Sequence, residues 1–243
     1  MCNIHNKISV LVYAAIMVSN VSAGVLDLHL PEFHLEAKTL AQAADQLSQI
    51  SKVSICSEDC DSSVNESNSN SRVCFRAINQ GFKKGMTLKE VLTTIVESAP
   101  DYIWTVDEGG HIINIYPKTN SPLGWIIDNI TVTNKPVNEL LAENSSLGLI
   151  KHGIVFDSGM GNISWLETKV TYNAKHISAR DALNKLCGQL RLYGMPMNCF
   201  WTVSKEMTWK GRYMLRIKGV SSSPEELLKH IQNNPDFHNP AQE

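Results

Sequence analysis

"TLKEVLTTIVESAPDYIWTVDEGGHIINIY", from Thr87 to Tyr116, carries a complete helix-and-hairpin signature. Thr87, followed three residues later by Glu90, spells a capping box, in which each side chain satisfies the other's orphan backbone N–H. Leu88, Val91, Leu92, Ile95 and Val96 then recur at helical spacing and form one apolar stripe. Burying such side chains stabilises by about 1.5–3 kcal/mol each, so the stripe has to pack against something. Two strands follow around Asp107-Glu108-Gly109-Gly110, where glycine permits the positive φ of a tight turn. The same signature restarts at Ser178. "SARDALNKLCGQLRLYG" predicts a capped helix with Ala182, Leu183, Leu186 and Leu190 inward, and "CFWTVSKEMTWKGRYMLRIKG" predicts a second hairpin. Trp201 stands in that hairpin where Trp104 stands in the first, and both are expected in the core.

The sequence before each signature also runs in parallel. Residues 24–36, "GVLDLHLPEFHLE", alternate apolar and polar side chains as a partly exposed strand region does. Thr39 can cap a helix in which Leu40, Ala43, Ala44, Leu47 and Ile50 share a face. "KVSIC" reads as a buried strand, "SEDCDSSVNESNSNS" as an aperiodic loop and "RVCFRAI" as a strand. After residue 124 the order recurs: "GWIIDNITVTN" as strand, "KPVNELLAENSSLG" as helix with Pro136 at an early position, then "GIVFD" and "TKVTYNA" as strands. The reading is an α+β fold of two tandem βαββαββ lobes, residues 24–118 and 119–220, each a short mixed sheet packed against two helices. Residues 221–243 add a C-terminal helix, capped by Ser223, opened by Pro224, Glu225 and Glu226 and stopped at Asn234-Pro235. The last eight residues are expected to be disordered.

Composition narrows the functional classes. The chain has 243 residues, 43% of them hydrophobic, and a formal charge of −2, enough for a real core and too neutral for an extended nucleic-acid surface. Lys83 and Lys84, a tight basic pair, read as a solvated face. Residues 1–23 read as a signal peptide: Lys7, the apolar run "ISVLVYAAIMV", and small residues up to Ala23, with cleavage expected between Ala23 and Gly24. No later stretch approaches the roughly 20 apolar residues that span a bilayer, so no integral membrane segment is expected after cleavage. The expected location is periplasmic or secreted.

An oxidising compartment favours disulfides. Without Cys2, five cysteines remain: Cys56, Cys60, Cys74, Cys187 and Cys199. Cys187 with Cys199 is the expected bridge of the second half, and Cys74 can pair with Cys60 or Cys56, leaving one thiol over. A Cys60–Cys74 bridge closes a loop worth about 3 kcal/mol in the chain-entropy model. Cys56-x-x-x-Cys60 lacks the spaced second pair of a metal site, so no metal is expected.

"FHLEAKTLAQAADQLSQISKVSI" and "GMTLKEVLTTIVESAPDYIWTVDEGGHIINI" together resemble the secretin and TonB short N-terminal domain, usually called STN. Leu40, Ala44, Leu47, Ser51, Val53 and Ile55 fall on the first half of its pattern, and Gly85, Met86, Thr87, Leu88, Val91 and Leu92 on the second. The resemblance spans about residues 28–117. "ITVTNKPVNELLAE" and "VTYNAKHISARDALNKL" are similar, more loosely, to the STN-like repeats beside such domains. Secretins continue into a membrane barrel, TonB receptors into a plug and barrel, and FecR-type regulators carry a transmembrane segment. None of these is read here, so the resemblance implies a periplasmic protein-contact module and not transport or signalling. The implied partner is a protein of the cell envelope, a secretin or another outer-membrane component, in a secretion or pilus apparatus.

Two other classes compete. "IVFDSGMG" resembles the catalytic turn of dimeric retropepsin-like aspartic peptidases, in which two aspartates share a proton; the candidate is Asp157. No second apolar-apolar-Gly element follows, and no helix with Lys-Ser/Thr makes "DSGMGN" a phosphate cradle. His29 and His34 can share a strand face with Glu32 or Glu36, as solvent-facing groups more readily than as ligands. The other alternative is a carrier of a small hydrophobic ligand between the lobes. No cofactor and no catalytic residue are expected. The sequons at Asn65, Asn129, Asn144 and Asn162 follow from a composition rich in Asn and Ser, and would stay bare in a bacterial periplasm. Trp209, in the turn "EMTWKG", has few apolar neighbours and is the candidate partner contact. Trp209→Ala is expected to weaken complex formation while leaving the melting temperature unchanged; a large fall in that temperature would make Trp209 a core residue instead.

Overall fold

Caps set the helices. The Thr39 hydroxyl accepts the Gln42 N–H and opens α1, Leu40–Ser51, which ends at Lys52 in the left-handed region, φ 60°. Thr87 and Glu90 form the complete capping box of α2, Leu88–Ser98. The Ser178 hydroxyl accepts the Asp181 N–H and bonds the Asp181 carboxylate, opening α4, Ala179–Leu192. The computed structural model describes residues 24–59, 75–107, 109, 111–142, 147–157, 164–192, 198–205 and 212–220. The expected signal peptide, the Cys60 and Cys74 pairing, the Trp209 turn and the C-terminal helix lie outside them.

The chain is α+β, with sheets of mixed strand orientation. In the first half come β1 (Phe33–Ala37), α1, β2 (Ser54–Glu58), β3 (Ile78–Phe82), α2, β4 (Tyr102–Val106) and β5 (Ile112–Pro117). The second half repeats that order with β6 (Ile126–Pro136), α3 (Val137–Leu141), β7 (Ile154–Phe156), β8 (Lys169–Ser178), α4, β9 (Cys199–Lys205) and β10 (Tyr213–Gly219). The pairings correspond as well. β1 pairs antiparallel with β3 as β6 does with β8, β2 runs parallel to β5 as β7 does to β10, and β4–β5 and β9–β10 are antiparallel hairpins.

Each half keeps its own two-stranded ribbon, β1–β3 or β6–β8, but the remaining strands are shared. β2 pairs in parallel with β9, Ser57 opposite Thr202 and Glu58 opposite Val203, which fuses the strands into one six-stranded sheet of order β4-β5-β2-β9-β10-β7. Alternation along the central strands then sends neighbouring side chains into different cores. Ile55, Ile113 and Ile115 join α1 and α2 in one hydrophobic cluster, while Cys56 and Ile112 join Leu183, Leu186, Leu190 and Trp201 in the other. The helices of the first half therefore cover one face of the sheet and α4 covers the opposite face. β2 is buried along its whole length.

Three elements differ from the sequence reading. The strand expected at "RVCFRAI" lies later, at Ile78–Phe82, where Phe82 pairs with Phe33 and their rings stack at 5.0 Å. Its middle three residues are exposed and polar or small, so no apolar alternation marked it. The helix expected over "KPVNELLAENSSLG" spans only Val137–Leu141 among the described residues, with Pro136 closing β6 as its N-cap. The strand region expected at 24–36 is a 3-10 turn at Val25–Asp27, an isolated bridge from His29 to Thr87, and β1 from Phe33.

One buried ion pair fastens the seam. Glu58, at the end of β2, is fully buried, and its Oε1 accepts the Arg180 Nε–H at 2.5 Å. Its Oε2 accepts the Ser121 hydroxyl at 2.5 Å and the Leu123 N–H at 2.9 Å, while Arg180 Nη2 donates to Ser121 at 2.7 Å. The Arg180 guanidinium lies 3.5 Å above the Tyr116 ring, a cation–π contact. Arg180→Ala is expected to destabilise by about 3–5 kcal/mol, because it strands a buried carboxylate. Glu58→Leu combined with Arg180→Met should recover much of that loss, as read by chemical denaturation.

Candidate functional site

The groups singled out for chemistry are held in structural contacts. Asp157 follows β7, its N–H bonded to the Leu215 carbonyl and its carboxylate 2.8 Å from Arg216 Nε on the adjacent strand. That ion pair stabilises the charged carboxylate in place. His29 Nδ1 donates to the Gly85 carbonyl at 2.8 Å and His34 Nε2 meets Asn79 Oδ1 at 2.5 Å, so each imidazole ties β1 or its approach to the segment around β3. The Asp107 carboxylate accepts the N–H groups of Gly109, His111 and Ile112 and so shapes the first hairpin turn. No group of three metal-ligating side chains occurs among the described residues.

The cysteines depart from expectation. Cys56, Cys187 and Cys199 are buried thiols, and no bridge joins Cys187 to Cys199. All three belong to the core beneath α4, where Cys56 Sγ also accepts the Trp201 N–H at 3.4 Å. Cys187 projects from the inner face of α4 and Cys199 opens β9, so each fills apolar volume as a small hydrophobe would. Burial raises all three above the ordinary thiol range, Cys199 to about 12. A thiol whose ionisation is opposed by burial is a poor nucleophile.

What the surface offers is a groove. Glu32, Phe33, His34, Gly81, Phe82 and Lys83 line an open depression of about 460 Å³ at one end of the β1–β3 ribbon. The stacked Phe33 and Phe82 rings form its apolar part, and the His34–Asn79 bond crosses the ribbon beside it. Glu32 and Lys83, both exposed, give it one charge of each sign. An open groove of aromatic, acid and base suits an extended peptide better than a small apolar ligand, which needs an enclosed pocket. The sequence grouped His34 with Glu32 on one strand face and read Lys83 with Lys84 as a solvated pair; the convergence of Lys83 with the other two depends on the displaced strand β3.

The residues of the Glu58 seam were not legible as a set either. "SEDCD" reads as loop and Arg180 as the second residue of a capped helix, while Ser121 sits in the connection between the halves. Trp104 and Trp201 do occupy corresponding places, opposite Ile115 and Ile217; Trp201 is fully buried with its indole N–H donating to Asn184 at 2.9 Å, whereas Trp104, also expected in the core, is only partly buried against it. No helix among the described residues is long and apolar enough to cross a membrane. No family model, no curated protein and no solved structure matches the chain.

Partly buried Asp59, just beyond the seam, adds a pH dependence. Loss of solvent raises its carboxyl to about 7, so the folded chain binds a proton that the unfolded chain releases near pH 4. Stability from this group is therefore present below pH 4 and is lost as the pH rises to about 7. Asp59→Asn is expected to match the parent's melting temperature at pH 4 and to exceed it above pH 7.

Proposed function

We propose that the chain is an exported protein-contact module of the cell envelope, a binding or scaffolding part of a secretin-type secretion or pilus system or of another outer-membrane apparatus. The observation that carries this reading is the open groove beside the Phe33–Phe82 pair, which offers aromatic rings with one acid and one base. The binding of Asp157 to Arg216 weighs against the aspartic-peptidase alternative, which needs that carboxylate to share a proton with a second copy. The core volume beneath α4, filled by Leu186, Trp201 and the thiols, weighs against a ligand carrier.

The signal-peptide pattern of residues 1–23 is the source of the export reading, and the STN resemblance is the source of the partner class. Its support in the fold is the repeated βαββαββ order with corresponding strand pairings, which suits two STN-like units fused into one body. Duplication followed by fusion accounts for both the shared order and the shared sheet.

The full secreted chain, used as bait in envelope extracts, is expected to retain an outer-membrane secretin or pilus component. Lys83→Glu, at an exposed groove residue, should reduce that retention severalfold with the melting temperature unchanged. Peptide hydrolysis by the purified chain, abolished in Asp157→Asn, would overturn the reading in favour of the peptidase.

A further inference from the structure

Ile103-Trp104-Thr105-Val106 of β4 repeats in β9 as Phe200-Trp201-Thr202-Val203, and the hairpin registers agree. Trp104 faces Ile115 as Trp201 faces Ile217, and Val106 faces Ile113 as Val203 faces Leu215. The two strands differ in what lies beside them. β9 takes β2 in parallel, Ser57 opposite Thr202 and Glu58 opposite Val203, whereas β4 is the last strand of the sheet among the described residues.

Backbone groups point the same way in both. The Asp101 carbonyl and the Asp107 N–H are turned toward β5, where they meet the Lys118 N–H and the Ile112 carbonyl. Antiparallel alternation therefore turns the N–H and C=O groups of Trp104 and Val106 outward. At the seam the corresponding groups are used: the Trp201 N–H by Cys56 Sγ, and the Val203 carbonyl by the Asp59 N–H at 2.8 Å. Burial records the difference. Phe200, Trp201 and Val203 are 0% exposed beside β2, whereas Ile103 is 39% exposed and Trp104 and Val106 are only partly buried.

Charge defines what would fit. At the seam Glu58 meets Arg180, the second residue of α4. Thr87-Leu88-Lys89 opens α2 as Ser178-Ala179-Arg180 opens α4, and both starts are seated alike, the Leu88 N–H on the Leu28 carbonyl and the Ala179 N–H on the Trp125 carbonyl. Lys89, which is exposed, thus holds the place of Arg180. At the other end of the seam the Asn198 side chain donates to the carbonyl of Lys52, six residues before Glu58. Exposed Asp101 holds the place of Asn198. A carboxylate only accepts, so Asp101 cannot repeat that bond and calls for a cation there. Its basic neighbour Lys118 is held on the Pro100 carbonyl.

A second copy of the chain suits this edge poorly. Ile113 faces Ile55 as Leu215 faces Phe156, so β7 holds the place of β2, and Gly153 stands where β2 has Lys52. β2 itself is buried at every residue.

We propose that the β4 edge binds an extended segment of a partner protein, parallel to β4, with a lysine or arginine against Asp101 and an aspartate or glutamate six residues later against Lys89. This is a contact surface separate from the groove at β1–β3, and it stands whether or not that groove binds a polypeptide.

The probe is the labelled peptide Lys-Val-Ser-Ile-Ser-Ser-Glu-Asp, the sequence of residues 52–59 with Cys56→Ser, titrated with the full secreted chain by fluorescence anisotropy. Saturable binding is expected, weakened severalfold by Lys89→Glu and by Asp101→Lys at unchanged melting temperatures. A peptide with its lysine and glutamate exchanged should prefer the chain carrying both substitutions over the parent, reversing the order of affinities. No binding up to the solubility limit of the peptide overturns the proposal. So does binding that both substitutions leave unchanged, which would put the peptide in the seam or in the groove. Self-association of the chain that Ile103→Lys abolishes would make a second copy the occupant and overturn it as well.

Discussion

A carboxylate with no solvent exposure costs several kcal/mol unless its charge and its lone pairs are matched, and Glu58 meets both conditions at the only direct strand contact between the halves among the described residues. One oxygen takes the guanidinium of Arg180; the other takes a hydroxyl and a backbone N–H from the connecting segment. The strand pairing itself is short, two residue pairs and the bond from the Asp59 N–H to Val203, so backbone bonding alone specifies the register weakly. A one-residue slip would turn Glu58 and Cys56 to the other face and send Ile55 into the wrong core. A slipped Glu58 would leave its guanidinium behind, and the cost of that separation fixes the alignment of everything on either side. Polar ties outside the β2–β9 pairing repeat the message: Lys218 to Asp45, Gln49 to the Gly219 carbonyl, and Asn198 to the Lys52 carbonyl.

The seam also decides where the helices go. Half one runs β4, β5, β2 across the sheet, and half two runs β9, β10, β7 in the same sense, yet β9 is parallel to β2 and hence opposite in direction to β4. Only a half-turn about an axis lying in the sheet, across the strands, reverses direction while keeping that order, and such a turn exchanges the faces. It places α1 and α2 on one side and α4 on the other, which is why β2 and β5 are covered on both surfaces, with Ser54, Ser57, Glu58 and Asn114 buried among the apolar side chains. Cys56 and Ile112 serve one core while Ile55, Ile113 and Ile115 serve the other. Strands buried on both faces lose the in–out alternation of a half-exposed sheet.

That loss explains what the sequence disclosed and what it withheld. Capping is local chemistry, so Thr39, Thr87 with Glu90, and Ser178 marked their helices plainly, and the hairpin around Asp107 was equally local. The α+β class followed from the alternation of those elements. β3 was displaced because its position is set by pairing with Phe33, some fifty residues away in sequence, and its own residues Asn79, Gln80 and Gly81 carry no β signal. The groove inherits that blindness, since half of its lining comes from the end of β3 and the residue beyond it. The Glu58 seam is the extreme case: an acid in an apparent loop, a serine in a connection and an arginine at a helix start have nothing in common until the chain folds. Spacing suggested that Cys187 and Cys199 would bond; their actual employment as packing depends on the shape of the cavity beneath α4, which spacing does not encode.

Edge chemistry sharpens the contrast between positions that correspond but do not share a fate. Sheets usually guard an exposed edge with lysine, proline or a bulge, because unpaired N–H and C=O groups recruit further strands. The ribbon β6–β8 has such a guard: a register irregularity between Val132 and Lys135 with Lys135 and Lys169 at its end. Strand β4, "YIWTV", has none, and β7, "IVF", has none within its span. The strand positions that lie at 0% exposure in Phe200 and Ile55 stay apolar in Ile103 and Phe156, and Phe156 packs against the core beneath α4.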